Sequence, residues 1–203
     1  MKVIILCNEI QEKEIISKPT ATDVNVSFTN NKHTFYSTYA DAYFDLLADE
    51  LNLEILRNDI PVFINSVIQT CKELPNNCIR LNAWNGFLKN EIIEIATLHH
   101  LEYVEKVMNK LSWKYQVSSD DSGLIVPKII SMIVNEAYFA LEDNISTKEE
   151  IDIAMKLGTN YPYGPFEWSE KIGLKNIYFL LEKLSRTDNR YLPSKLLQTT
   201  ALL

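Results

Sequence analysis

The stretch from Ser122 to Leu174, SGLIVPKIISMIVNEAYFALEDNISTKEEIDIAMKLGTNYPYGPFEWSEKIGL, constrains the fold of this chain most. It opens with a helix whose polar residues form a narrow stripe. Lys128, Ser131, Asn135 and Glu142 fall at helical spacing, and nearly everything between them is apolar. Such a wide apolar arc must be covered on most sides, by its own domain or by a second copy. Thr147 starts a second helix, capping with its hydroxyl and followed by Glu149 and Glu150, whose charge suits the positive end of the helix dipole. Gly158 is the expected stop of that helix. Pro162, Gly164 and Pro165 form a rigid turn, and a third helix is predicted from about Pro165 to Ile172, ended by Gly173.

These residues resemble a known family. GLIV, NEA, the run from Glu150 to Gly158, Pro162-x-Gly164-Pro165 and Ile172-Gly173-Leu174 are similar to the C-terminal helical domain of 3-hydroxyacyl-CoA dehydrogenases, many of which act on short chains as 3-hydroxybutyryl-CoA dehydrogenases. Arg190-Tyr191-Leu192-Pro193 resembles an Arg-Tyr-x-Pro in the family's last helices. The resemblance implies an NAD-dependent oxidation of 3-hydroxyacyl-CoA in fatty acid metabolism, a Rossmann-like sheet before the helices, and a homodimer paired through the helical domain.

With 203 residues, 46% of them apolar, the chain is long enough for one packed domain or two small ones. It has no run of eighteen apolar residues and no signal-peptide pattern, so a soluble cytoplasmic protein without a membrane partner is expected. Cys7, Cys71 and Cys78 are an odd set without CxxC spacing, which points to reduced thiols. His33 and the His99-His100 pair lack the companions a zinc site needs, so no metal is expected. A net charge of −7 argues against a nucleic acid partner.

Taken in order, Lys2–Cys7 reads as a buried parallel strand. A dinucleotide-binding fold would continue with a glycine-rich turn, so that backbone could approach the pyrophosphate at a helix N-terminus. This chain continues Asn8-Glu9-Ile10-Gln11-Glu12, and its first 85 residues contain no glycine. Side chains fill the place of the phosphate, and Glu9, Glu12 and Glu14 repel it, so no cofactor is expected unless the family's NAD-dependent activity is retained.

Asp23–Phe28 alternates like a half-exposed strand, and Asn30-Asn31-Lys32 reads as a turn. Ala40–Leu47 is a strand or the start of a helix. Leu51–Asn58 reads as a helix, Pro61–Val67 and Asn90–Ala96 as strands, His99–Leu111 as a helix, Trp113–Val117 as a last strand and Lys175–Leu184 as a further helix. The fold class is therefore α/β, then all-α: a shortened Rossmann-like parallel sheet over residues 1–120, then a helical, dimer-forming domain over residues 121–203. The boundary falls near Ser118-Ser119-Asp120-Asp121.

In the family a histidine takes the alcohol proton, a glutamate orients it, and a serine and an asparagine hold the substrate oxygen. The segment Leu81–Ala96 resembles the part carrying the histidine and glutamate. Glu94 falls at the glutamate, Asn85 at a family asparagine, and Gly86 where proline usually stands. The histidine position is Asn82, an amide that does not titrate near neutral pH but can hydrogen-bond a carbonyl. Ser66 is the match to the serine. The helix-borne asparagine is replaced by Pro127, beside Lys128, and proline has no donor. The catalytic candidates are thus Glu94, Ser66 and Asn82, and the substrate-binding candidates Asn85, Pro127 and Lys128. Glu94 also fits a carboxylate paired with a lysine or capping a strand end, and Ser66 a hydroxyl bonded to backbone. Trp84, Tyr163, Phe166 and Trp168 read as packing residues of a core or dimer interface.

The expected function is a family member with lost or impaired dehydrogenase activity. The alternative is a non-catalytic dimeric interaction protein or an acyl-CoA-binding protein.

Overall fold

The computed structural model describes residues 1–48 and 59–203. The helix expected over Leu51–Asn58 lies outside the described residues. The backbone divides into two compact units, Met1–Leu124 and Ile125–Leu203.

The first unit begins with β1 (Lys2–Leu6), α1 (Glu9–Ile16), β2 (Asn25–Thr29), α2 (Lys32–Ser37), β3 (Ala42–Asp45) and β4 (Val62–Asn65). It continues with β5 (Cys78–Leu81), β6 (Ile92–Ala96), α3 (Leu101–Leu111) and β7 (Lys114–Val117). The strands form one sheet in the order β2-β1-β3-β4-β5-β6-β7, parallel throughout except where β5 meets β6. Ala40–Leu47, ambiguous by periodicity, contributes β3. Asn30-Asn31-Lys32 leads into a helix, because the Asn31 side chain caps α2 by accepting from the Thr34 N–H at 2.9 Å.

One face of the sheet is an apolar layer. Val3, Ile5, Phe44, Phe63, Ile79, Leu81, Ile93 and Ile95 pack with Val104, Val107, Met108 and Leu111 of α3. Those four helix positions share one stripe at helical spacing, so α3 lies flat on the sheet. Each such side chain contributes roughly 1.5–3 kcal/mol of burial. The second face, with Ile4, Leu6, Tyr43, Val62, Ile64 and Cys78, is covered by Phe35 of α2 and by Leu74.

The second unit is helical: α4 (Val126–Glu142), α5 (Lys148–Thr159), α6 (Pro165–Ile172), α7 (Leu174–Ser185) and α8 (Lys195–Leu202). The side chains of Thr147 and Glu150 cap α5 reciprocally. That helix runs through Gly158 and ends where Asn160 takes the left-handed conformation at φ +56°. Asparagine performs the stop expected of glycine, because its short polar side chain also tolerates that conformation. Gly173, at φ +90°, separates α6 from α7 as expected.

The polar stripe of α4 is not its solvent face. Ser131 and Asn135 are 0% and 3% exposed, while Val126, Ile129 and Phe139 are exposed at 37%, 49% and 36%. Asn135 faces inward because its amide reads a turn in both directions. Its Nδ2 donates to the Leu192 carbonyl at 2.9 Å, and its Oδ1 accepts from the Ser194 N–H at 2.9 Å. A buried amide so satisfied costs little, and it ties α4 to the segment that leads into α8. Buried Asp152 of α5 holds α6 likewise, its carboxylate accepting from the N–H groups of Phe166 at 2.8 Å and Glu167 at 3.2 Å. An acceptor at that helix N-terminus meets both free donors and the positive end of the dipole.

Candidate functional site

In a doubly wound sheet, ligands bind outside the carboxyl ends of the strands, where the winding reverses. Here β2 lies on one side of β1 and β3 on the other, so the reversal falls between β1 and β3. The residues at that point are Asn8 after β1 and Leu46 after β3.

Both the helix end and the crevice are filled by α1's own polar side chains. The Asn8 Oδ1 accepts from the N–H groups of Ile10 and Gln11, each at 2.9 Å. The Gln11 Oε1 accepts in return from the Asn8 N–H at 3.0 Å. First-turn donors that an anion would otherwise reach are thus taken. Gln11 is 3% exposed and spans the crevice, its Nε2 donating to the Leu46 carbonyl at 3.1 Å and the Ala83 carbonyl at 2.8 Å. Asn8 Nδ2 also donates to Asn85 Oδ1 at 3.3 Å. One turn further, Glu14 accepts from the N–H groups of Gly86 at 2.7 Å and Leu88 at 3.1 Å.

Asn8, Gln11 and Glu14 sit at i, i+3 and i+6, so they lie along one side of α1. They were not among the sequence candidates for a site. The signal was present in the Asn8-x-x-Gln11 capping box and the polar spacing that continues it. Gly86 has φ +101° and donates its N–H. A proline at this position could do neither.

The three catalytic candidates come together at the rim of the sheet. The registers Ile64–Arg80 and Arg80–Ala96 place those residues in one cross-strand row. Two residues on, extending the same registers, stand Ser66, Asn82 and Glu94. Ser66 N–H donates to the Leu81 carbonyl at 3.3 Å, and Asn82 N–H donates to the Glu94 carbonyl at 3.1 Å. Directly opposite residues have Cβ atoms about 5 Å apart, so the Asn82 and Glu94 side chains are neighbours on one face. All three are buried.

Their available chemistry is modest. The Ser66 hydroxyl donates to the Gln69 carbonyl at 3.2 Å, and Asn82 Oδ1 accepts from the Trp84 N–H at 3.3 Å. An amide beside a carboxylate gives a hydrogen-bonding pair without a group that titrates like imidazole. Pro127 and Lys128 belong to the helical unit, in the first turn of α4, where a proline suits a helix start.

Arg80 supports this rim and carries no exposed surface. Its Nε donates to the Ser66 carbonyl at 3.1 Å, its Nη2 to Val67 and Asp121 carbonyls at 3.2 Å, and its Nη1 to Asp120 Oδ1 at 2.7 Å. Asp120 also accepts from the Cys71 N–H at 2.7 Å. Burial alone raises the Asp120 carboxyl, but these donors and the guanidinium charge outweigh it and hold the group below its ordinary range. Cys7, Cys71 and Cys78 are free and buried, and burial pushes their thiols up to about 11, 11 and 12. None is a thiolate near neutral pH. Among the described residues no group of three His, Cys, Asp or Glu could hold a metal, and no helix is long and apolar enough to cross a membrane.

Residues 123–202 match the family described as 3-hydroxyacyl-CoA dehydrogenase, C-terminal domain. The matched region is the helical unit, about two fifths of the chain, and it is this part that is similar to the family. It is 41% identical over 87 residues to the 3-hydroxyadipyl-CoA dehydrogenase of Escherichia coli (strain K12), covering 42% of this chain and 18% of that one. It is 28% identical over 149 residues to a 3-hydroxybutyryl-CoA dehydrogenase of Clostridioides difficile, covering 68% of this chain and 52% of that one. The chain therefore spans at most about half the length of these curated relatives. Among solved structures, (S)-3-hydroxybutyryl-CoA dehydrogenase PaaH1 from Ralstonia eutropha shares the fold with a TM-score of 0.66 at 20% identity, over 87% of this chain and 69% of that one. The likeness in fold covers sheet and helices, while the match to the family model covers the helices alone.

Proposed function

We propose that this chain is a 3-hydroxyacyl-CoA dehydrogenase family member that no longer carries out nicotinamide-dependent hydride transfer and acts as a dimeric protein retaining the helical domain. The observation that carries this reading is Gln11. Its buried amide joins the carbonyls that follow β3 and β5, at the point where such sheets hold a dinucleotide. Asn82 adds to it, because hydride removal needs a base to take the alcohol proton and an amide is none. Fluorescence titration with NADH, alongside an acetoacetyl-CoA reduction assay, tests it. Neither saturable binding nor turnover is expected, and finding both defeats the proposal.

The dimer reading rests on α4, which leaves Val126, Ile129 and Phe139 exposed while burying its serine and asparagine. A second copy related by a two-fold axis would bring the same stripe against itself. Light scattering at micromolar concentration is expected to give twice the chain mass, and a monomer refutes it. An acyl-CoA is the small molecule such a protein retains if any site is left. An acyl-CoA that raises the melting temperature supports a binding protein, and no response supports a pure interaction protein.

A further inference from the structure

We propose that the turn around Gly86 is a carboxylate-binding site which the chain's own Glu14 occupies. Two backbone donors converge there on one carboxylate, Gly86 N–H on Oε1 at 2.7 Å and Leu88 N–H on Oε2 at 3.1 Å. Each oxygen takes one donor, so the group is held side-on. The positive φ of Gly86, +101°, turns the backbone so that these N–H groups open toward the same point. This is how successive amides form an anion-holding concavity. The intervening Phe87 N–H is bonded back to the Trp84 carbonyl at 3.1 Å, which closes the turn. Trp84, Phe87 and Leu88 are buried beneath it, so the donors are fixed before any anion arrives.

The occupant is less firmly built in than its site. It is a side chain of α1, whose buried residues are Gln11 and Ile15 alone. A small monocarboxylate offers the same two oxygens and competes with Glu14 for the same two donors. Tethered beside the donors, Glu14 prevails over a free carboxylate, and the site opens to one when that side chain is removed. This holds whether or not the crevice at Gln11 accepts a dinucleotide, so the NADH titration and the following test fail independently.

In the full chain, Glu14→Ala empties the site. The variant is expected to melt below the parent and to regain most of the difference as acetate is added at constant ionic strength, saturably, with chloride as control. The parent is expected to stay unchanged. In ¹⁵N spectra the amides of Gly86 and Leu88 are the signals expected to move with acetate. Glu14→Gln, which keeps the side chain's length and one acceptor, is titrated in parallel and guards against a misfolded alanine variant. Acetate shifts at those two amides in either variant support the site. No response in both variants, or equal stabilisation of parent and variant, overturns it, and stronger recovery with inorganic phosphate overturns the carboxylate assignment.

Discussion

The helical unit and the sheet unit use their buried polar residues differently. In the helical unit the motif residues hold the structure together. Asp152 caps α6, Asn135 fastens the turn before α8, and Gly164 leaves room for the Asp152 carboxylate. In the sheet unit the polar residues line the switch point and the rim of the sheet. There Asn8 and Gln11 close the end of α1 and the crevice beside it, and Asn82 shares a cross-strand row with Ser66 and Glu94. A residue that carries packing is lost only with the fold, and one that carries chemistry can change without it.

The largest expected effect tests the structural half. A Cβ on Gly164 would lie 2.2 Å from Asp152 Oδ1. Its φ is an ordinary −72°, so space rather than backbone strain demands the glycine. Gly164→Ala must displace the carboxylate that caps α6, and should cost about 3 kcal/mol in urea unfolding, overpacking plus a lost cap. A change under about 0.5 kcal/mol, the size of a neutral surface substitution, would show the motif is not structural.

Next comes Asn135→Ala, which leaves the Leu192 carbonyl and Ser194 N–H without their partner. A cost of about 2 kcal/mol is expected from two stranded buried groups. If the urea midpoint stays put, Asn135 is not holding the turn, and the contrast between the units weakens.

A smaller effect sits in the sheet unit at Asp120. Its folded carboxyl lies below the ordinary value of about 3.9. The stabilisation is therefore fully present above that value and is lost as pH falls through the folded one. Urea midpoints taken from pH 6 down to pH 2 should fall less steeply in Asp120→Asn than in the parent. Parallel slopes would mean the Arg80 pair carries no pH-dependent stability.

Much of this fold was legible because periodicity marks covered faces. β1, β6, α3 and α6 follow their apolar patterns. β5 was missed because Cys78–Leu81 is four residues long with an arginine inside it. The charge reads as exposure, yet the guanidinium finds four acceptor groups in the interior. α1 was missed because it buries a glutamine and one isoleucine and has no apolar stripe. The inward turn of Asn135 follows from a partner turn some sixty residues later, which local pattern does not register. Ser66, Asn82 and Glu94 were each picked out by family spacing, but that they share one row follows from the strand registers. The filling of the crevice by Gln11 was not, since its acceptors lie 35 and 72 residues away.

The smallest expected effect bears most directly on the difference between the units. Asn82→His places an imidazole at a position that, by extension of the β5–β6 register, stands opposite Glu94. A carboxylate neighbour raises the folded imidazole's pKa, so the stabilisation is complete below the unfolded value of about 6.5 and fades as pH rises through the folded one. On the proposed reading, acetoacetyl-CoA turnover with NADH is absent in this variant too, because Gln11 still fills the switch point. Turnover in this single variant would mean that the crevice admits a dinucleotide after all, and that the two units differ by one catalytic residue rather than by a closed site.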